Sequence, residues 1–513
     1  MARPRTVSSR HHSLHSTTVR HSERAEVITM AAAAEAHFLI VTYPSQGHVT
    51  PARHLAGRLV HGGARVTVCV PVSAFRKMFD TDGEVVESGG GVAYVAYSDG
   101  YDGGFDRAAD DHTRYMAQVR TVGARTVAGV LRRLRDVGRP VTCAVYTLLL
   151  PWVADVARDH GVAAVAVFWI QPTTALAAYY HYFRGGRDAV VAAVESGNPF
   201  AEVSLPGLPP LRVRDLPSFL AITSADDPFA FVLSEFEALI DTLERGAEPP
   251  TYVLANTFDA MERDAVLSLR PHIDVVAVGP VLSFLHADAD ETKTVSSPND
   301  LFDHDGGGYL EWLGTKPSRS VVYISFGSSS VMSKNQVAEI AAAMAASNRP
   351  FLLVLRKDNC KDEEENAAIK KLVAAAAAAT DGGGGGGMAV AWCDQARVLS
   401  HPSVGCFVTH CGWNSTLEAV ACGVPVVAAP QYSDQGTNAW LVERMGVGVR
   451  AAVRRGADGV LEAAELRRCV DAAMSETVAS RAAEWKEEAR AAVAGGGASE
   501  RNLNEFVGQF ISK

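Results

Sequence analysis

The sequence predicts an α/β protein made of two doubly wound, parallel-sheet, Rossmann-like domains in tandem. Three observations predict it. Short, continuous apolar runs alternate with longer amphipathic stretches, the pattern of parallel strands buried on both faces. The alternation occurs twice, on either side of a polar stretch at 283–308 rich in acids, Ser, Pro and Gly. The chain has 513 residues, too many for one core of ordinary size.

In the first half the expected strands are 37–43 (HFLIVTY), 65–71 (RVTVCVP), 143–148 (CAVYTL), 162–169 (VAAVAVFW), 252–258 (YVLANTF) and 274–280 (DVVAVGP). Thr50 and Pro51 are expected to open the first helix as N-cap and first-turn proline. A long helix is expected over 112–137, and Pro151 opens another. In the second half the strands are 321–326, 351–356, 388–392, 404–409 and 424–428. Ser333 and Gln336 read as a capping box ahead of a helix at 334–347. The expected division is a leader at 1–35, a first domain at 36–282, a linker at 283–308 and a second domain at 309–513. A low-complexity insertion at 357–388 carries an acidic run, a poly-Ala run and six glycines. The glycines precede a strand rather than follow one, so they are no phosphate loop, and the insertion reads as a flexible surface loop.

The leader is rich in Arg, Ser and His, with Glu23 its first acid, and is expected to be disordered. That composition fits an organelle transit peptide. The plainer reading is an upstream extension of the reading frame, with Met30 as the working start and a cytoplasmic protein. Hydrophobic residues make up 48% and the net charge is −10. This balance supplies ample core and argues against nucleic acid as a partner, because that affinity rests on basic residues. No apolar run approaches the roughly 18 residues of a membrane span. The eight cysteines form no C-x2-C pair and suit free buried thiols.

The densest chemical signal is 392–435, WCDQARVLSHPSVGCFVTHCGWNSTLEAVACGVPVVAAPQYSDQ. A strand ends at His410, a tight turn follows, and a helix starts near Ser415. A helix N-terminus offers unpaired N–H groups to an anion, and His410, Asn414 and Ser415 add donors there. Glu418 suits a pair of sugar hydroxyls, and Trp392 offers a flat face to a base. Plainer roles exist for each. Ser415 and Glu418 also fit a helix cap, Trp392 fits a core, and His410 fits a buried histidine. Cys406, His410 and Cys411 match no standard zinc spacing.

This block resembles the signature box of plant secondary-product UDP-glycosyltransferases, glycosyltransferase family 1, with W-x-x-Q, then H-C-G-W-N-S-x-x-E, then D-Q. The resemblance extends from about residue 37 to the C-terminus, the insertion excepted. It implies the GT-B fold, two facing domains with an interdomain cleft, and a final helix that packs back on the first domain. It implies an inverting hexosyltransferase that uses UDP-glucose as co-substrate with no cofactor and no metal, works as a monomer, and glucosylates a small-molecule acceptor. In that pattern Trp392 stacks on uracil, the Cys393 backbone and Gln395 hold the uridine, and Glu418 holds the ribose. Ser328, His410, Asn414 and Ser415 hold the diphosphate; Trp413, Asp434 and Gln435 hold the sugar, with terminal Gln going with glucose.

His48 lies in the turn PSQGHVTP between the first strand and helix. Histidine suits proton removal from a hydroxyl, and the resemblance makes His48 the general base. Many relatives carry an aspartate that orients this histidine, where Thr147 stands here. Three explanations are open: Thr147 suffices, Asp155 substitutes, or the acceptor is acidic enough to need little help. The opening HFLIVTYPSQGH and the segment YTLLLPW resemble the branch of anthocyanin 5-O-glucosyltransferases and indole-3-acetate glucosyltransferases, which tends to carry Thr here. The acceptor is then a flavonoid, a phenol or an auxin-like acid, met by loops at about 75–110 and 170–235. A non-catalytic nucleotide-sugar-binding protein is the alternative. A nicotinamide enzyme is disfavoured, because no G-x-G-x-x-G follows the first strand.

Overall fold

Residues 36–511 are described by a computed structural model, apart from 80, 82, 84, 88–90, 107–108, 225, 228, 245–250, 286–300, 302–307, 329, 357–362, 380–385 and 454–458. The leader, most of the linker, Asp362 of the acidic run and most of the poly-Gly run lie outside the described residues.

The strands are β1 (His37–Val41), β2 (Arg65–Pro71), β3 (Val85–Glu87), β4 (Val92–Tyr97), β5 (Cys143–Tyr146), β6 (Ala164–Trp169), β7 (Glu202–Val203), β8 (Leu211–Arg212), β9 (Thr251–Ala255) and β10 (Asp274–Ala277). A second series follows: β11 (Val321–Ser325), β12 (Phe351–Val354), β13 (Gly387–Val390), β14 (Val404–Thr409), β15 (Val426–Ala428) and β16 (Gly448–Arg450). The first sheet runs β10-β9-β6-β5-β1-β2-β4-β3, the second β13-β12-β11-β14-β15-β16. All pairings in both are parallel except β3 with β4. The central strands are buried along their whole length, as continuous apolar runs covered on both faces require.

Several local expectations are corrected. The first helix is Gln46–His61, capped by Ser45, so Thr50 lies inside it and Pro51 is its sixth residue. The insertion is not a structureless loop: a helix spans Glu363–Ala379. Alanine is the best helix former, and Ile369, Val373 and Ala376 are spaced to bury one stripe. Gly387 opens β13, and the Phe351 ring occupies the space where its side chain would be. Ser333 accepts from Gln336 N, but the Gln336 side chain turns to Leu461 instead of closing a capping box. The 75–110 region, expected as loop, contains β4, and 170–235 contains the helices Thr173–His181 and Arg187–Glu195.

The chain ends by returning to the first domain. Helix Glu476–Val493 belongs to the second domain, while helix Ala498–Gly508 inserts Leu503, Phe506 and Val507 into the first core. The Phe506 ring lies 6.0 Å from Phe38 and 5.3 Å from Tyr252. Arg58 pairs with Glu500 at 2.6 Å. Phe506→Ala empties a buried site, so it is expected to cost the first domain about 3–5 kcal/mol. Denaturant unfolding of the variant against the parent measures this.

Candidate functional site

Each sheet reverses its strand order once, between β5 and β1 in the first and between β11 and β14 in the second. At such a point the loops leaving the two neighbouring strands diverge and open a crevice beyond their carboxyl ends. In the first sheet those loops carry His48 and Thr147. In the second they carry Gly327 with Ser328, and His410. The two crevices face each other across one cleft of about 1010 Å³.

His48 is the third residue of its helix and half-buried. Its Nδ1 lies 2.9 Å from Thr147 Oγ1. Thr147 is fully buried, does not line the cleft, and accepts a hydrogen bond from Tyr43 N at 3.2 Å. Asp155 does not substitute for the aspartate: its side chain is 59% exposed and pairs with Arg158 at 3.1 Å. Burial lowers the His48 pKa to about 3, so the ring is neutral across the neutral range. Pro51 lacks the N–H that would reach the Gly47 carbonyl in a regular helix. That carbonyl takes Asn414 Nδ2 at 3.2 Å instead, joining the turn beside His48 to the opposite domain.

On the opposite side, β14 ends at Thr409, and His410 and Cys411 (φ 65°) form the turn into helix Trp413–Cys422. Gly412 is its N-cap and supplies no side-chain bond, so the first-turn N–H groups face the cleft with the positive end of the helix dipole. Ser415 therefore sits inside the helix, and the cap reading of Ser415 and Glu418 is excluded. Gly327 and Gly412 must be glycines, since a Cβ on either would fall 2.5 or 2.6 Å from the His410 ring. Arg356 Nη1 donates to Gly327 O at 2.6 Å. Burial first, and then the charge of Arg356, lower the His410 pKa to about 4.

A relay of side chains shapes the next stretch. Tyr323 OH donates to Gln395 Oε1 at 3.2 Å, and Gln395 Nε2 donates to Ser415 Oγ at 2.9 Å and Glu418 Oε2 at 2.7 Å. Gln395 thus fixes Ser415 and Glu418, and its amide is committed to them. Trp392 is half-buried in the cleft wall and Cys393 is buried beside Tyr323. At the far end Asp434 accepts from Asn438 Nδ2 at 2.8 Å, and burial raises its pKa to about 6. Gln435 Oε1 accepts from Gln431 N at 2.8 Å and Tyr432 N at 3.2 Å, which leaves its NH2 group as a donor. Trp413 differs from expectation. Its indole N–H donates to Asn256 O of the first domain at 2.9 Å, which ties its ring to the interface between domains while the residue still lines the cleft.

The cleft brings together His48, Ser328, Trp392, Cys393, Gln395, His410, Trp413, Asn414, Ser415, Glu418, Asp434 and Gln435. It also brings in Leu148, Ile170, Gln171, Tyr432 and Ser433, which sequence reasoning missed. Ser433 stood inside the marked block, but nothing in its type signals a role. Tyr432 stood there too, Ile170 and Gln171 fall in the 170–235 segment expected to meet the acceptor, and Leu148 follows β5. An aromatic strip leads away from His48 through Tyr43 (5.3 Å), Tyr115, Phe105 and His112 to the exposed Phe229. Among the described residues no three His, Cys, Asp or Glu side chains converge to hold a metal ion, and no helix is long and apolar enough to cross a membrane.

Residues 308–474 match the family model described as UDP-glucoronosyl and UDP-glucosyl transferase. The chain is 43% identical to UDP-glycosyltransferase 75C1 of Solanum lycopersicum, over 93% of this chain and 99% of that one. It is 38% identical to anthocyanidin 3-O-glucoside 5-O-glucosyltransferase 1 of Perilla frutescens, over 92% and 98%. Among solved structures it resembles Os79 of O. sativa in complex with UDP, with a TM-score of 0.76 and 29% identity over 92% of this chain and 100% of that one.

Both cleft histidines have pKa values lowered from 6.5. The unfolded chain binds protons near 6.5 where the folded one does not, so the stability these rings contribute is present above 6.5 and is lost as pH falls toward 4 and 3. Proton NMR of the ligand-free protein is expected to show the His48 and His410 rings neutral from pH 8 down to 5.

Proposed function

Because this chain belongs to the UDP-glycosyltransferase family and has its GT-B fold, we propose that it transfers glucose from UDP-glucose, with inversion, to an acidic hydroxyl of a flat aromatic acceptor. The observation that carries this reading is the pairing of a neutral imidazole at one strand-order reversal with an open helix N-terminus at the other, in one cleft.

The donor lies along the second domain. Uracil stacks on Trp392, with the Cys393 backbone beside it, and Glu418, held by Gln395, receives the ribose hydroxyls. The diphosphate meets the first-turn N–H groups of helix Trp413–Cys422 together with Ser328, His410, Asn414 and Ser415. These neutral donors and the helix dipole match a dianion, and no metal ion is called for in this reading. The sugar ends at Asp434 and the NH2 group of Gln435.

In the tautomer that works, His48 donates Nδ1–H to Thr147 and turns the lone pair of Nε2 to the cleft. The acceptor oxygen loses its proton to Nε2 and attacks the anomeric carbon on the face opposite UDP. The C–O bond to UDP breaks, and the charge growing on the diphosphate is met by the preorganised N–H groups. A single displacement converts an α-linked donor into a β-glucoside. A ring with a pKa of about 3 is a weak base, and Thr147 brings no charge to strengthen it. The arriving diphosphate raises its proton affinity. An acceptor of low pKa, such as a phenol, asks least of it. The Perilla relative acts on an anthocyanidin glucoside by its name, and a relative in Malus domestica, 40% identical, is a phloretin 4'-O-glucosyltransferase. Both are consistent with this acceptor class.

His48→Ala is expected to lower kcat by about 10²- to 10⁴-fold while UDP binding by calorimetry stays at the parent level. Full turnover in the variant would sink the base assignment, and no heat with UDP in the parent would sink the donor site. Asp434 accepts sugar hydroxyls best when ionised. With its pKa near 6, the KM for UDP-glucose is expected to rise as pH falls through 6 and to lose that dependence in Asp434→Asn.

A further inference from the structure

Resting on the reading of Asp434 and Gln435 as the sugar end, we propose that Ser218 of the first domain is a positioning residue for the donor sugar. It clasps Ser433 and so holds the turn that carries both sugar contacts. Ser218 N donates to Ser433 O at 2.7 Å, and Ser433 N donates to Ser218 Oγ at 2.7 Å. Ser433 has φ 61°, a left-handed conformation that costs any residue with a Cβ and persists only where neighbours over-determine it. Gln171, also of the first domain, donates to Ser433 Oγ at 3.3 Å.

The surroundings make this contact a fitted dock. Thr437 Oγ1 donates to Asp215 O at 2.8 Å. Arg450 pairs with the Asp215 carboxylate at 2.8 Å, both side chains buried, and donates to Arg214 O at 3.2 Å. A Cβ at Gly436 would lie 2.7 Å from Arg214 O. Segment 213–218 therefore lies flush against the start of helix Gln435–Met445. Gln435 Oε1 is held by Gln431 N and Tyr432 N, so a shift of the turn shifts the amide that reads the sugar.

The two ends of the donor are thus built differently. Trp392, Gln395, Glu418 and Tyr323 all belong to the second domain, and the last three are held by one another. The sugar end is held in place from the first domain. Removing the Ser218 hydroxyl should loosen sugar reading and spare UDP.

The test is Ser218→Ala with Ser218→Thr as its rescue. Ser218→Ala is expected to raise the KM for UDP-glucose about tenfold, the loss of one well-made hydrogen bond, and to narrow the preference for UDP-glucose over UDP-galactose. The inhibition constant of UDP stays unchanged, which also shows the variant is folded, and Ser218→Thr restores the parent values. Unchanged KM and sugar preference would overturn the proposal. So would equal weakening of UDP and UDP-glucose, because a merely damaged interface moves both. A parent protein that binds no UDP overturns the underlying site reading instead, so the two failures are distinguishable.

Discussion

The cleft is held by backbone and charged groups of the first domain that bond to side chains of the second. Gly47 O takes Asn414, Asn256 O takes Trp413, and the Asp215 carboxylate pairs with Arg450. Sliding the domains would break all three, and removing one partner of a buried ion pair such as Asp215–Arg450 costs about 3–5 kcal/mol. These contacts set the carboxyl ends of the two sheets face to face. The last helix strengthens the closure, since the chain leaves the second domain at Val493 and anchors in the first core through Phe506. Everything chemical about the molecule follows from that alignment.

The electrostatics of the cleft suit an anion. His48 and His410 are held neutral by burial, and Asp434 is held near its titration point. The positive potential comes from fixed dipoles at the start of helix Trp413–Cys422, with the buried Arg356 behind the Gly327 turn. Dipoles already aimed at the diphosphate need no reorganisation when charge builds on the leaving group. In the proposed reaction, an imidazole resting on a hydroxyl is a weaker base than one beside a carboxylate, which favours acidic acceptor hydroxyls.

Much of this was legible in the chain. The strands from His37 to Val41 and from Val404 to Thr409 are continuous apolar runs whose burial needs no tertiary information to anticipate. The block from Trp392 to Gln435 was legible because many residues that line one cleft lie close together in sequence. Other features were not legible. Poly-Ala at 374–379 looked like low complexity, although its propensity and the stripe of Ile369, Val373 and Ala376 make a helix. The start of the first helix was misplaced because Pro51 usually marks a first turn. Here it sits a turn deeper and frees the Gly47 carbonyl for Asn414. Trp413 was read as a sugar contact because of its place in the block, and only the position of Asn256 shows where its N–H goes.

The sequence by itself determined the two α/β halves, the identity of the anion-binding turn and the histidine opposite it. Those depend on local periodicity and on residues a few positions apart. Tertiary structure alone decided that Thr147 supports His48 across 99 residues, that Asp155 does not, and that Ser218 reaches Ser433 across 215. Such pairs are set by which strands become neighbours at a reversal of sheet order and by how two domains close. No spacing along the chain encodes them, because a hydrogen bond between distant residues leaves no period in the sequence.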